Sequence, residues 1–142
     1  MIAVMGPPPA ESSMSLHEEL PATVGSVAAA RRSVRRFAAG LEVDLDGMVL
    51  AVSEAVANVV THAYADDARG VIELSATALP YEIAIEVRDH GRGMAWTAGR
   101  SPGAGYGIEI IRRLAQHVAV RDSADGVALT MRFRRGGAWS VR

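Results

Sequence analysis

Between Leu45 and Tyr64 the chain reads LDGMVLAVSEAVANVVTHAY, a helix-length stretch without a single Lys or Arg. At about 100° per residue, Leu45, Met48, Val49, Val52, Ala55, Val56, Val59 and Ala63 fall on one side, and Glu54, Asn58, Thr61 and His62 on the other. A helix with that much apolar surface has to be laid against another layer. The preceding LEVDLD offers Asp44 or Asp46 as its N-cap. Glu54, Asn58 and His62 stack turn over turn into one polar stripe. A solvated face usually mixes charges of both signs, whereas this side also holds Leu50, Ala51 and Ala57. The stripe therefore reads as the floor of a polar cleft or as a solvated face, and taken alone it does not separate the two. Glu and His at i, i+8 with Asn between them are not the HExxH zinc pattern.

The layer that covers this helix is legible in the rest of the chain. VIELSATA (71–78) and YEIAIEVRD (81–89) alternate with β-branched content and are joined by the short ALPY into a hairpin. VAVRDS (118–123) and VALTMRFR (127–134) make a second pair, with Val127, Leu129, Met131 and Phe133 pointing inward. SMSLHEEL (13–20) reads as a further short strand. A first helix is expected at about 24–39, with Val24, Val27, Val34, Phe37 and Leu41 as its buried stripe and Gly40 as its stop. A last helix is expected in IEIIRRLAQHV, with Ile108, Ile111, Leu114 and Val118 on one side. The order predicts an α+β two-layer sandwich, a mixed, mostly antiparallel sheet covered on one face by about three helices. Residues 14–135 form the domain, with 1–13 and 136–142 as tails; three consecutive prolines mark the first of these.

Several chemistries are excluded by residue types that are missing. The chain has no Cys, which removes disulfides, thiolate zinc sites and Cys nucleophiles. It has no Lys either, which rules out a Walker A loop and the strand lysine of an ordinary protein kinase. A net charge of −1 argues against a nucleic-acid or membrane-surface binder. No apolar run has transmembrane length and the N-terminus does not read as a signal peptide, so a cytoplasmic protein is expected.

Two further features carry chemistry. In YEIAIEVRD the odd positions Tyr81, Ile83, Ile85, Val87 and Asp89 share one face, so a carboxylate ends an apolar row. It either caps the following DHGRG turn or accepts from a ligand amine. After it comes HGRGMAWTAGRSPGAGYG, too long for a mere connector. Gly91 and Gly93 allow a close backbone approach or make a turn. Gly103, Gly105 and Gly107 run into a helix start, where free amides and the helix dipole suit a phosphate.

The order ExxxNxxxHAY on a helix, then a strand ending RDHGRGM, then GAGYGI opening a helix, resembles the Bergerat-fold, histidine-kinase-like ATPases, which include gyrase and sensor histidine kinases. VSEAVANVVTHAY, with its His-Ala-Tyr ending, is similar to the form found in the anti-sigma factor serine/threonine kinases of bacteria. ELPATVGSVAAARRSVRRFA sits where that subclass has its first helix, and the resemblance spans about residues 14–134. It implies ATP and Mg²⁺ as cofactors. Asn58 would hold the Mg²⁺, Glu54 would be the general base and His62 would lie in the nucleotide cleft. Asp89 would accept the adenine amino group, with Gly91 and Gly93 passing the base. Gly103, Gly105 and Gly107 would wrap the phosphates. The family usually places a Gly-Thr pair before its last strand; here ADGVALT puts Val127 after Gly126 and leaves Thr130 as the hydroxyl assigned to the nucleotide side. Arg92 or Arg100 either adds positive charge to the phosphates or is solvated.

Arg31/Arg35 and Arg32/Arg36 are like-charge i, i+4 pairs that cost helix stability. They form either a solvated face or a surface for an acidic partner. The resemblance assigns Arg31, Arg32 and Arg35 to partner binding. It implies an ATP-dependent serine/threonine kinase that phosphorylates an anti-sigma factor antagonist and sequesters a sigma factor, as a homodimer without direct nucleic-acid or membrane contact. Two alternatives remain open at this level: an ATP-binding module that sequesters a partner without phosphotransfer, and the catalytic half of a split histidine kinase.

Overall fold

The computed structural model describes residues 14–63, 70–90 and 104–136, of which 62–63 and 104–107 by backbone alone. The tail expected at 1–13, that expected at 136–142 apart from Gly136, and residues 91–103 lie outside the described residues. Strand β1 (Met14–Pro21) leads into helix α1 (Gly25–Phe37) and then α2 (Leu45–Asn58), which continues as one π-helical turn, Val59–Ala63. The hairpin β2 (Val71–Ala78) and β3 (Glu82–Asp89) follows, then helix α3 (Ala104–Leu114), and the strands β4 (His117–Ser123) and β5 (Gly126–Arg134). The sheet order is β1-β2-β3-β5-β4. Expected as mixed and mostly antiparallel, it is antiparallel in every described pairing.

The alternation in the sequence becomes a two-sided sheet. Ile72, Leu74, Ala76 and Ala78 on β2, Ile83, Ile85, Val87 and Asp89 on β3, and Val127, Leu129, Met131 and Phe133 on β5 are all buried. They face α2, whose Met48, Val49, Val52, Ala55, Val56 and Val59 are buried in turn. α2 is the middle helix, packed against α1, α3 and β3. Buried aliphatic side chains of this size each stabilise the fold by about 1.5–3 kcal/mol relative to exposure. The other face of the sheet stays half-exposed and polar, as one-sided antiparallel sheets do. It carries the ion pairs Arg121–Glu86, at 3.6 Å, and Arg132–Glu82.

The elements depart from the pattern reading at their ends. Val24 is 79% exposed because α1 begins after it. Tyr81 is exposed and precedes β3, so the buried row on that strand starts at Ile83. α3 starts at Ala104, inside the glycine run, and stops at Leu114; Val118 belongs to β4. Ala51, on the supposedly polar side of α2, is fully buried, while Leu50 beside it is exposed. No helix among the described residues is long and apolar enough to cross a membrane.

The N-cap of α2 is Asp44, whose carboxylate accepts from the Gly47 amide at 3.1 Å. A Cβ on Gly47 would meet Asp44 Oδ2 at 2.3 Å, so a side chain there would displace the capping carboxylate. Asp44→Ala should therefore lower stability by about 1 kcal/mol in denaturant titration. An unchanged midpoint would show that the cap does not hold the start of α2.

Candidate functional site

The polar stripe lies along α2, which packs against both β3 and α3. Glu54 and Asn58 are half-buried, neither submerged nor on an open face. The side-chain Nδ2 of Asn58 is buried and has no hydrogen-bond partner among the described residues. A desolvated amide group left unbonded costs about 1–3 kcal/mol, so its neighbourhood suits a polar ligand. Directly after Asn58 the helix widens into the π turn Val59–Ala63. The i→i+5 closure breaks the regular wheel, and such turns occur often at functional sites. His62 therefore does not continue the stripe at regular α-helical spacing; its side chain lies outside the described residues.

Asp89 ends β3 fully buried, at 0% exposure, on the helix side of the sheet. Register pairs Ile72 with Asp89 and Arg88 with Ala128, which brings Val127 beside the carboxylate. The Val127 amide donates to Asp89 Oδ1 at 3.4 Å, and the Val127 side chain is itself buried. The carboxylate thus ends a buried apolar row and accepts from a backbone amide, which fits a site that reads an amine. Thr130 lies elsewhere. It pairs with Glu86 and Ala119 on the outer face, between the buried Leu129 and Met131, so the sheet separates it from Asp89.

Gly126 explains why the turn before β5 can come so near. Its φ is +130°, and a Cβ would meet the Asp89 carbonyl oxygen at 2.0 Å. Ser123 steadies that turn by donating to the Gly126 carbonyl at 3.2 Å and accepting from the Asp125 amide at 3.3 Å. The sequence signal for this turn is Asp-Gly between two alternating strands, Asp125-Gly126. On the outer face next to Asp89, His90 Nε2 meets Glu73 Oε2 at 2.5 Å. The His90 hydrogen bond holds the Glu73 carboxyl below its ordinary range, against the opposing effect of burial.

Of the glycines assigned to the ligand, Gly105 and Gly107 fall in the first turn of α3 and Gly91, Gly93 and Gly103 lie outside the described residues. Arg92 and Arg100 lie outside them too. Arg31, Arg32 and Arg35 are exposed on α1 and, with Ala28, line a shallow cavity of about 230 Å³. Arg35 also reaches Asp46 at 3.5 Å. Among the described residues no cluster of three or more His, Asp or Glu could hold a metal ion by itself. Any Mg²⁺ here would draw most of its ligands from phosphate oxygens and water, which is its usual preference.

The family model of the histidine kinase-like ATPase domain matches residues 20–133. The chain belongs to the histidine kinase-like ATPase domain family. An anti-sigma F factor from Anoxybacillus flavithermus is 33% identical to this ATPase domain over 82 residues, which are 56% of each chain. The RsbU and RsbW domains of Rv1364c from Mycobacterium tuberculosis superpose with a TM-score of 0.67 at 26% identity, covering 90% of this chain and 35% of that one. The histidine kinase domain of the Erythrobacter litoralis EL346 blue-light activated kinase, at 22% identity and a TM-score of 0.55, covers 80% of this chain and 61% of its own, and shares the fold. The ATPase domain thus spans about half the length of the curated relative.

The clamp at Asp89 is open to test. Gly126→Ala should cost about 2 kcal/mol or more, because both φ and the approach to Asp89 forbid a side chain. Gly40, with φ +85° but open space around it, should lose only about 1 kcal/mol on the same change. Equal losses in thermal or denaturant unfolding would contradict the clamp.

Proposed function

We propose that this domain binds ATP with Mg²⁺ and is an anti-sigma factor with serine/threonine kinase activity. It would phosphorylate an anti-sigma factor antagonist and sequester a sigma factor in a partner-switching system, as a homodimer. The observation that carries the reading is the buried Asp89 carboxylate on the helix side of the sheet, in a domain whose middle helix carries the half-buried Glu54 and Asn58. The relationship to an anti-sigma F factor and to an RsbW-containing protein supports the partner assignment.

Each residue has a defined task in this reading. Asp89 accepts a hydrogen bond from the exocyclic amine of the base, with Val127 as the apolar wall beside it. The Asn58 amide, whose Nδ2 is buried without a partner among the described residues, would offer its oxygen to the cation. Gly105 and Gly107, in the first turn of α3, allow the phosphates to approach backbone amides closely. Thr130, across the sheet from Asp89, takes no part, and His62 lines the cleft. Bound MgATP supplies a phosphoryl group whose negative charge the metal offsets. Glu54, one turn before Asn58 on the same stripe, takes the proton from the attacking serine hydroxyl. Arg31, Arg32 and Arg35 face the acidic surface of a protein partner.

Glu54→Ala should slow phosphate transfer to a serine-bearing antagonist by about 10²–10⁴-fold while leaving ATP affinity within a few-fold. The assay is incorporation of labelled phosphate, with acid-stable product distinguishing serine from histidine. Transfer at the wild-type rate would remove Glu54 from the role of base. Absence of transfer by the wild type itself would leave a nucleotide-binding module that sequesters a partner.

A further inference from the structure

β3 reaches its last residue, Asp89, with unequal support from its two neighbours. On the β2 side the ladder runs to Ile72↔Asp89. On the β5 side the described register ends one residue earlier, at Arg88↔Ala128. There the Val127 amide reaches Asp89 Oδ1 at a long 3.4 Å. Gly126 bounds the same backbone: a Cβ on it would meet the Asp89 carbonyl oxygen at 2.0 Å and His90 Cα at 2.8 Å. Element ends open first where little holds them. The placement of the buried carboxylate therefore depends on β2 and on what fixes the residue after it.

That residue is His90. Asp89 points to the helix side, so alternation sends His90 to the outer face, where Glu73 and Arg88 stand. Its Nε2 meets Glu73 Oε2 at 2.5 Å, diagonal to the Glu73↔Arg88 pair and directed back at β2. Glu19 lies opposite Glu73 on β1, and like charges so placed are destabilising. A neutral residue at 73 would avoid that cost. The His90 hydrogen bond nevertheless holds the Glu73 carboxyl below its ordinary range; the charges of His90, Arg88 and His17 act the same way and burial opposes them. With Glu73 ionised, Nε2 is the donor. Charge-assisted bonds of this kind are roughly twice as strong as neutral ones.

We propose that His90 is a positioning residue of the nucleotide site: its bond to Glu73 anchors the end of β3 to β2 and thereby fixes the Asp89 carboxylate, one residue away on the opposite face. The inference rests on the reading of Asp89 as the acceptor for the base. His90 does not touch the nucleotide in this account, because it lies on the outer side of the sheet. It acts through the peptide unit it shares with Asp89. A turn of the backbone at His90 redirects the Asp89 side chain, and a hydrogen bond weakens steeply once its angle is lost. The other outer-face pairs do not have this reach. Arg121 meets Glu86 at 3.6 Å and Arg132 meets Glu82, three and seven residues before Asp89 on β3.

Titration of the full chain with ATP and Mg²⁺ tests this, with thermal melting of each variant alongside. The wild type should bind. His90→Ala and Glu73→Gln should each raise the ATP dissociation constant about three- to tenfold, as a charge-assisted bond outside the ligand's own contacts is lost or weakened. Glu73→Gln also removes the repulsion from Glu19, so its melting temperature should hold or rise while its affinity falls. A role confined to stability would move the two together. The exchanged variant Glu73→His/His90→Glu rebuilds the pair in reverse and should return the constant to within about threefold of wild type. Arg121→Gln, which breaks an exposed pair away from Asp89, should leave it within about twofold. Wild-type affinity in both single variants, or no recovery in the exchanged variant, overturns the positioning role and leaves the nucleotide site standing. A wild type that does not bind ATP overturns both.

Discussion

A carboxylate buried at the end of a β-strand is tolerated only where the surrounding backbone is arranged for it. The environment of Asp89 sets that arrangement in this domain. Its burial requires β5 to run beside β3 far enough for the Val127 amide to reach Oδ1. That in turn requires the β4–β5 turn to press against the Asp89 backbone, and the contact is possible only because position 126 has no side chain. The same pairing places Leu129, Met131 and Phe133 under the helices. One polar group therefore fixes the register of the strand pair at the centre of the sheet.

α2 completes the site from the other layer. Its apolar side is consumed by the sheet and by α1 and α3, which leaves Glu54 and Asn58 half-buried at a boundary instead of in bulk water. The π turn that follows marks where the regular helix gives way before the segment that continues it. Under the proposed function the two groups would divide by depth: the buried Asp89 carboxylate would read the base, and the shallower Glu54 and Asn58 would meet the phosphates.

Most of this architecture was legible in the residues because its two periods are undisguised. The strict alternation of VIELSATA and EIAIEVRD set their buried rows, and the dense apolar run of α2 required a covering layer. Asp89 was legible as well, since a carboxylate closing a row of Ile, Ile and Val stands out. Its partner was not, because a backbone amide leaves no mark in a side-chain pattern. The π turn was invisible for a related reason: it changes the helical period without changing composition. Thr130 was assigned from proximity in sequence to the expected Gly-Thr pair, yet strand alternation puts every second residue on the opposite face, and 130 differs in parity from 127. The start of α3 within GAGYG was obscured because glycines ordinarily signal loop.

The central claim, that Asp89 reads the base of a bound adenine nucleotide, is tested most directly by calorimetric titration. Purified protein and its Asp89→Asn variant are titrated with ATP and ADP, with and without Mg²⁺. The account predicts Mg²⁺-dependent ATP binding by the wild type and a loss of about 10–100-fold or more in the variant, the worth of a hydrogen bond to a charged acceptor. Equal affinity in the two proteins, or no binding by the wild type, would contradict it.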